Sequence, residues 1–154
     1  MSEHHIWQTQ AQNALENKAA GLTEKERKTY HIEFITRAIL KVPEHTTTDL
    51  QLEEFKKDTE TLISAIPAKD DLQKLSAKDF ARKLSIYKAM LIKQYKIVTK
   101  DYYTGIWMSI GIAIGVSFGV VMKNLALGIA IGLGVGLAIG GGLNAKAERE
   151  GKVI

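Results

Sequence analysis

Apolar residues in the first 104 positions recur at steps of three and four, the period of helices that bury one face. A first, weak stripe lies between about His4 and Lys18. A second follows Thr23, which forms a capping-box sequence with Glu26, and we expect it to end near Val42. No alternating strand pattern occurs, so this part of the chain is predicted to be helical throughout.

Two further stripes complete this polar part of the chain. The third begins at Thr48 and is ended by Pro67, while the last begins at Ser76. We expect the last to form a basic helix over about residues 76–100, with an apolar face made of Phe80, Leu84, Tyr87, Leu91 and Val98 and widened by Ile86, Met90 and Ile97. Four stripes in about 100 residues can bury one core, so residues 1–104 are predicted to form a small helical bundle.

The pattern changes completely between Ile106 and Leu143, where only Lys123 is charged. The run divides at Lys123-Asn124 into 17 and 19 apolar or small residues, and a membrane span needs about 20. A single helix over the whole run would be about 57 Å long, far more than the roughly 30 Å of a hydrocarbon core. We therefore predict two membrane spans joined by a tight turn, within a domain covering residues 105–154. A hairpin buried inside a soluble assembly is the alternative.

Glycine is concentrated in this tail, which holds twelve of the thirteen glycines. Every fourth residue of each span is glycine, which lets helix backbones approach closely. The residues predicted to mediate helix packing and oligomerisation are Gly111, Gly115, Gly119, Gly128, Gly132, Gly136 and Gly140. Small and large residues also alternate with the period of a strand, but a membrane strand needs only about 9–11 residues, so helices are favoured.

A second set of small residues lies two positions from the glycine series, and two positions are about 200° apart on a helix. Its members are Ser109, Ala113, Ser117, Ala126, Ala130, Gly134, Ala138 and Gly142. One face of each span could therefore pack within the hairpin, while the other faces a neighbouring copy and propagates a homo-oligomer. The alternative is that small residues line two sides of a purely intramolecular pair.

Positive charge is concentrated directly before the tail. Residues 74–100 carry seven lysines and one arginine against one aspartate, a net charge of +7, whereas residues 1–73 carry a net of −4. Lys88, Lys93, Lys96, Lys100 and Trp107 are predicted to lie at the membrane surface, and the positive-inside rule then places both termini in the cytoplasm. This segment could also pair with the acidic first part of the chain. Nucleic acid is a weaker alternative, because no recognised binding motif is present.

The sequence offers little that suggests catalysis. Cysteine is absent, which excludes disulfides and thiol chemistry, and the four histidines show no metal-binding spacing. Paired acids such as Glu53-Glu54 and Asp70-Asp71 lie on or beside polar helix faces. We therefore expect no enzyme activity, no metal and no cofactor.

The tail resembles the glycine-zipper hairpins of small bacterial membrane proteins. The resemblance covers residues 105–154 and rests on the runs GIAIGVSFG and GIAIGLGVGLAIG, the short polar turn and the charged end AKAEREGKVI. It implies a helical hairpin of the bacterial inner membrane, in contact with the lipid bilayer, and together with the predicted bundle this gives an all-α protein. From all these features we expect a non-catalytic protein whose self-associating hairpin anchors a cytosolic helical domain, acting as a scaffold, adaptor or regulator for a protein partner not identified by the sequence. The alternative is a membrane-permeabilising protein: a pore-forming toxin, a holin-like factor or a defence effector.

Overall fold

The computed structural model describes residues 3–46, 48–67 and 77–154. Regular structure in those residues is helical, apart from a single parallel bridge between Val98 and Val153. The all-α prediction is confirmed. The chain forms two compact units, residues 1–97 together with Ile154, and residues 98–153.

The described part of the first unit contains five α-helices and two short helical turns. The helices are α1 (Glu3–Ala19), α2 (Glu24–Thr29), α3 (Ile32–Lys41), α4 (Asp49–Ser64) and α5 (Ala77–Met90). A 3₁₀ turn, Val42–His45, follows α3, and a π-helical turn, Leu91–Tyr95, follows α5. The predicted helix start at Ser76 lies outside the described residues.

The predicted N-terminal caps of α2 and α4 are present. Thr23 Oγ1 accepts a hydrogen bond from the amide of Glu26, and the Glu26 carboxylate accepts one from the amide of Thr23 at 2.7 Å. Thr48 Oγ1 likewise accepts from the amide of Gln51. Each cap satisfies an amide that has no partner inside its own helix.

The helix predicted between Thr23 and Val42 is broken into α2 and α3 by His31, which has a left-handed backbone with φ of 51°. Tyr30 and Ile32, on either side of the break, are both buried. In a continuous helix these two residues would be about 200° apart, so one of them would face water. The break therefore lets both side chains enter the same core.

The predicted basic helix over residues 76–100 is too long at its C-terminal end. The helical path stops at Tyr95, because Lys96 adopts a left-handed conformation with φ of 57° and caps the turn. Ile97 and Val98 beyond it are nevertheless buried. Ile86 was expected to widen the apolar face but is 64% exposed, because the buried face of α5 follows Phe80, Leu84 and Tyr87.

The core of the first unit is centred on Phe55, which is fully buried. Its ring lies 5.6 Å from the ring of Trp7 and 5.9 Å from that of Tyr95, and it also contacts Tyr87. Edge-to-face packing of this kind stabilises aromatic clusters beyond their buried area. The Tyr87 hydroxyl is hydrogen-bonded to Thr59 at 2.8 Å, so the two buried hydroxyls satisfy each other.

The second unit is built on two antiparallel helices, α6 (Tyr102–Val121) and α7 (Leu125–Arg149). They are joined by the predicted turn at Lys123-Asn124, where Lys123 has a left-handed backbone with φ of 54°. The amide of Asn124 donates to the carbonyl of Gly119 at 2.9 Å, which closes the end of α6. The Asn124 side chain then accepts from the amide of Leu127 and begins α7.

Candidate functional site: the glycine seam of the hairpin

The seven glycines singled out by their spacing all lie where α6 meets α7. We call them the glycine seam: Gly111, Gly115 and Gly119 of α6 with Gly128, Gly132, Gly136 and Gly140 of α7. The three seam glycines are the buried residues of α6. Of the buried residues of α7, four are seam glycines and the others are Asn144 and Ala147. The hairpin therefore has an interior made almost entirely of backbone.

The two backbones approach so closely at the seam that no side chain could fit. Gly111 faces Gly132, and Gly115 faces Gly128. A β-carbon on any seam glycine would come within 3 Å of the opposite backbone, for example 2.6 Å from the Thr104 α-carbon in the case of Gly140. Such proximity permits weak Cα–H contacts to carbonyl oxygens along with dispersion, which are the forces that join helices in lipid.

Glycines outside the seam have quite different surroundings. A β-carbon added to Gly105, Gly134, Gly141 or Gly142 would meet no atom within 4 Å. Only the series with the four-residue spacing faces the other helix of the same chain. The remaining glycines supply natural controls, because the same substitution can be made on the same helix with and without a steric conflict.

An asparagine not singled out from the sequence closes the open end of the hairpin. The buried side chain of Asn144 accepts a hydrogen bond from the amide of Tyr103 at 3.1 Å and donates one to Thr104 Oγ1 at 2.7 Å. It thereby supplies a partner to an amide in the first turn of α6, which has none within the helix. The available signal was a lone amide side chain at the end of an apolar run.

Large apolar side chains of the hairpin point outward. Phe118 is 63% exposed, Val121 81% and Val135 53%. Both helices are long and apolar enough to cross a membrane, and only 17% and 22% of their most apolar 18-residue windows are buried. At about 30 Å, α6 matches the thickness of a hydrocarbon core.

The second register of small residues lies on the exposed surface. Ala113, Ala130 and Gly134 are exposed, as are the other members of that register. Ser109 and Ser117 donate their hydroxyl hydrogens to the carbonyls of Gly105 and Ala113, four residues earlier in the same helix. This register does not contribute to contacts between α6 and α7.

The five residues predicted to lie at a membrane surface have different surroundings. Lys93, Lys96 and Lys100 are exposed, and Lys96 Nζ donates to the carbonyl of Lys93. Lys88 is half-buried, with its ammonium 4.9 Å from the centre of the Phe34 ring. Trp107 is half-buried in the hairpin, and its carbonyl oxygen faces Gly136.

No cluster with obvious chemistry accompanies the seam. In the described residues, no group of three or more histidine, aspartate or glutamate side chains is placed to hold a metal ion. The Asn124 and Asn144 side chains, beyond the two ends of the seam, are hydrogen-bonded at the helix ends. The arrangement is suited to packing helices together.

Comparison with known proteins shows which family of proteins the hairpin resembles. The family model of the glycine zipper membrane proteins matches residues 100–146, which contain the seam, all of α6 and α7 as far as Lys146. No curated protein and no solved structure matches the chain. The resemblance predicted from the glycine runs is confirmed, and the C-terminal third of the chain is a membrane-associated helical hairpin similar to glycine zipper membrane proteins.

Proposed function

We propose that this chain is a non-catalytic integral membrane protein whose hairpin both anchors the helical first unit and assembles with further copies of itself. The observation that supports the proposal most strongly is the inverted burial of the hairpin. The seam glycines face inward, and large apolar side chains such as Ile114, Val135 and Phe118 face outward. Such a surface is stable in hydrocarbon and unfavourable in water.

The anchoring role follows from the length and connection of the two helices. Since α6 and α7 are antiparallel and joined by only three residues, Met122 to Asn124, a spanning hairpin leaves Tyr102 and Arg149 on the same side of the bilayer. Lys146 and Arg149 in the last turn of α7, Lys152 after it and the basic residues that precede α6 in the sequence belong to that side, against Lys123 in the turn. By the positive-inside rule, this distribution favours both termini in the cytoplasm, and the resemblance to bacterial glycine-zipper hairpins favours the inner membrane.

The assembly role rests on the exposed second register. A face of small residues allows another helix to approach closely, and the glycine seam has already occupied the opposite face. A contact of this kind between copies can propagate beyond a dimer. The first unit would then be displayed in several copies at the membrane, which suits a scaffold, adaptor or regulator for a cytosolic protein.

The pairing of the hydroxyl groups supports an anchor over a water-filled pore. Ser109 and Ser117 are the polar side chains within the apolar run of α6, and each hydroxyl hydrogen is used by its own helix. A pore would require a polar lining along one face. Release of a trapped dye from liposomes by the purified protein would overturn the anchor in favour of a permeabilising function.

The assembly is tested by enlarging the second register. In the double variant Ala113→Leu/Gly134→Leu, we expect the dissociation constant of the oligomer in lipid bilayers, measured by energy transfer between labelled copies, to rise at least tenfold. The control variant Ile114→Leu/Val135→Leu alters adjacent exposed positions that already carry large side chains and should leave it unchanged. Equal association of both variants would show that the second register does not mediate assembly.

A further inference from the structure

A groove of about 340 Å³ runs along one side of the glycine seam. Its floor is formed by two facing glycine pairs of the seam, Gly111 with Gly132 and Gly115 with Gly128. Its walls are Ile114 and Phe118 of α6, Met122 directly after that helix, and Ile131 and Val135 of α7. Every residue of this lining is glycine or apolar, so the groove suits an apolar occupant.

The two sides of the seam differ in how well they are covered. The wall residues that directly precede a seam glycine are all more than half exposed, and they are Ile114, Phe118, Ile131 and Val135. Three residues that directly follow a seam glycine, Ile112, Ile129 and Leu133, are half-buried. Positions before and after one residue are about 200° apart on a helix, so the two sets lie on opposite sides of the seam. Side chains therefore cover one side, and a groove is left on the other.

The length and position of the groove match one leaflet of a bilayer. Its lining extends along the chain from Gly111 to Met122, a distance over which a helix rises about 16 Å. This is about half of the hydrocarbon core of a bilayer. The groove ends at the turn, because Met122 directly precedes Lys123. In a hairpin that spans the bilayer, the groove therefore lies in the leaflet that contains the turn.

The charge at the turn is complementary to that of a lipid phosphate. Lys123 is the one charged residue between Ile106 and Leu143, and it is exposed. Since it follows Met122 directly, its backbone adjoins the end of the groove. The turn of a spanning hairpin reaches the level of the lipid phosphates, whose negative charge attracts an ammonium group.

A single hydrocarbon chain fits the groove better than a helix from a second copy does. An α-helix with its side chains is about 10–12 Å across, so a 16 Å length of it would fill roughly 1,000 Å³ or more, several times the volume of the groove. An unbranched chain can lie along the glycine floor and contact both walls. In lipid, such dispersion contacts take the place of the hydrophobic effect as the source of affinity.

We propose that the groove binds one acyl chain of a phospholipid from the leaflet that contains the turn, with the lipid headgroup beside Lys123. This inference rests on the proposed function, because it requires the hairpin to span the bilayer. It adds a lipid site on a surface that assembly does not use. Within the described hairpin, no member of the second register of small residues lines the groove, so both contacts can form together.

The experiment uses the full chain in detergent micelles and a phosphatidylcholine that carries a diazirine in the middle of one acyl chain. After irradiation, tandem mass spectrometry locates the labelled residues. We expect labelling to saturate at one lipid per chain, with Ile114 and Val135 labelled at least fivefold more than Val116 and Leu137. All four residues are exposed, and each control lies only two positions from its partner, but only Ile114 and Val135 line the groove.

Two double variants separate filling of the groove from a general change in the surface of the hairpin. Ile114→Trp/Val135→Trp enlarges the walls and should lower the labelling of Phe118 at least fivefold. Val116→Trp/Leu137→Trp introduces the same side chains on the other side of the seam and should leave that labelling unchanged. Circular dichroism of each variant shows whether the helices are intact, and the labelling pattern of the original chain tests the proposal without any substitution.

Three results would overturn the proposal. They are equal labelling of the two sides of the seam, labelling that rises without saturation, and equal labelling of Phe118 in the two double variants. If Ile114→Trp/Val135→Trp instead weakens energy transfer between labelled copies and leaves lipid labelling unchanged, the groove is an interface between copies.

Treatment of membranes with alkaline carbonate distinguishes failure of this inference from failure of the proposed function. Release of the protein from the membrane would overturn the spanning anchor and the lipid site with it. Retention of the protein together with uniform labelling of the hairpin would overturn the lipid site alone.

Discussion

The two units of this chain bury opposite kinds of residue. In the first unit, Phe55 and Ile35 are fully buried, and every charged side chain whose burial the structure describes is at least partly exposed. In the hairpin, Gly115 is buried, whereas Phe118 is 63% exposed. Both units are helical, so the difference does not come from secondary structure.

The difference shows which solvent each unit is built for. In water, burying apolar area stabilises a fold by about 25 cal/mol per Å², so large side chains collect inside. Lipid is as apolar as leucine and gives no such gain, so helices associate through close backbone packing and interhelical hydrogen bonds. The mean hydropathy of the whole chain, −0.07, averages a polar first unit and an apolar hairpin and is typical of neither.

The largest expected effect comes from removing the central aromatic of the first unit. Phe55→Ala should destabilise that unit by about 3–5 kcal/mol, because it leaves a cavity among Trp7, Tyr87 and Tyr95. Phe118→Ala, in the hairpin, should change stability by less than about 0.5 kcal/mol, since its ring faces outward. The stability loss of Phe55→Ala is measured by unfolding followed by Trp7 fluorescence in a Trp107→Phe background. The same loss for Phe118→Ala would contradict the contrast and indicate a core around Phe118.

The reverse experiment adds volume to the hairpin. Gly132→Leu should destabilise the pair α6–α7 by about 3 kcal/mol or more, because its β-carbon would meet the Gly111 backbone. Gly134→Leu, two residues along the same helix, adds a β-carbon that meets no atom within 4 Å, and it should be nearly neutral in monomeric detergent. Since the chain has no cysteine, spin labels at Ile114→Cys and Ile131→Cys can report the distance between the helices. A narrow distance distribution retained in Gly132→Leu would show that the seam does not need glycine.

Features that recur periodically along the chain could be predicted from the sequence. Glycine at every fourth position marks one face of a helix, which gave the seam residues. The lengths of the two apolar runs indicate two helices, which placed the turn at Lys123-Asn124. Which of two small-residue faces pairs within the hairpin did not follow, because the faces are about 200° apart and differ mainly in glycine content. The contacts of the structure assign the glycine face to the intramolecular pair.

Features that depend on single residues were missed. The break at His31 arises because Tyr30 and Ile32 share one core, a tertiary requirement without a periodic signal. The early end of the last helix of the first unit depends on Lys96 adopting a left-handed conformation, which is uncommon for lysine. The role of Asn144 depends on its distance from Tyr103 and Thr104, 40 residues or more away in sequence. Local pattern cannot reveal contacts at that separation.

A smaller effect is expected from hydrogen bonds buried in each unit. Thr59→Val should destabilise the first unit by about 1–3 kcal/mol, because it leaves the buried Tyr87 hydroxyl without its partner. Asn144→Leu should destabilise the hairpin by about 1–2 kcal/mol, the upper part of the range for interhelical hydrogen bonds in membranes. Unfolding of each unit, followed by Trp7 or Trp107 fluorescence, measures the two changes. If Thr59→Val is not partly rescued by adding Tyr87→Phe, its effect comes from packing instead of the hydrogen bond.

The smallest expected effects concern the helix caps, a device that both units use. Thr23→Ala removes the cap of α2 in the first unit and should lower stability by about 1 kcal/mol. Asn124→Ala removes the equivalent acceptor from the amide of Leu127 in the hairpin turn. If water reaches that turn, the loss should again be about 1 kcal/mol, because water replaces the lost partner. If the turn lies within the hydrocarbon, the unpaired amide should raise the loss to several kcal/mol. The stability loss of Asn124→Ala minus that of Thr23→Ala, both measured by unfolding at the same detergent concentration, therefore reports the depth of the turn. We expect this difference to be near zero, because a hairpin that spans the bilayer completely places Lys123 at the far surface, where water reaches the turn.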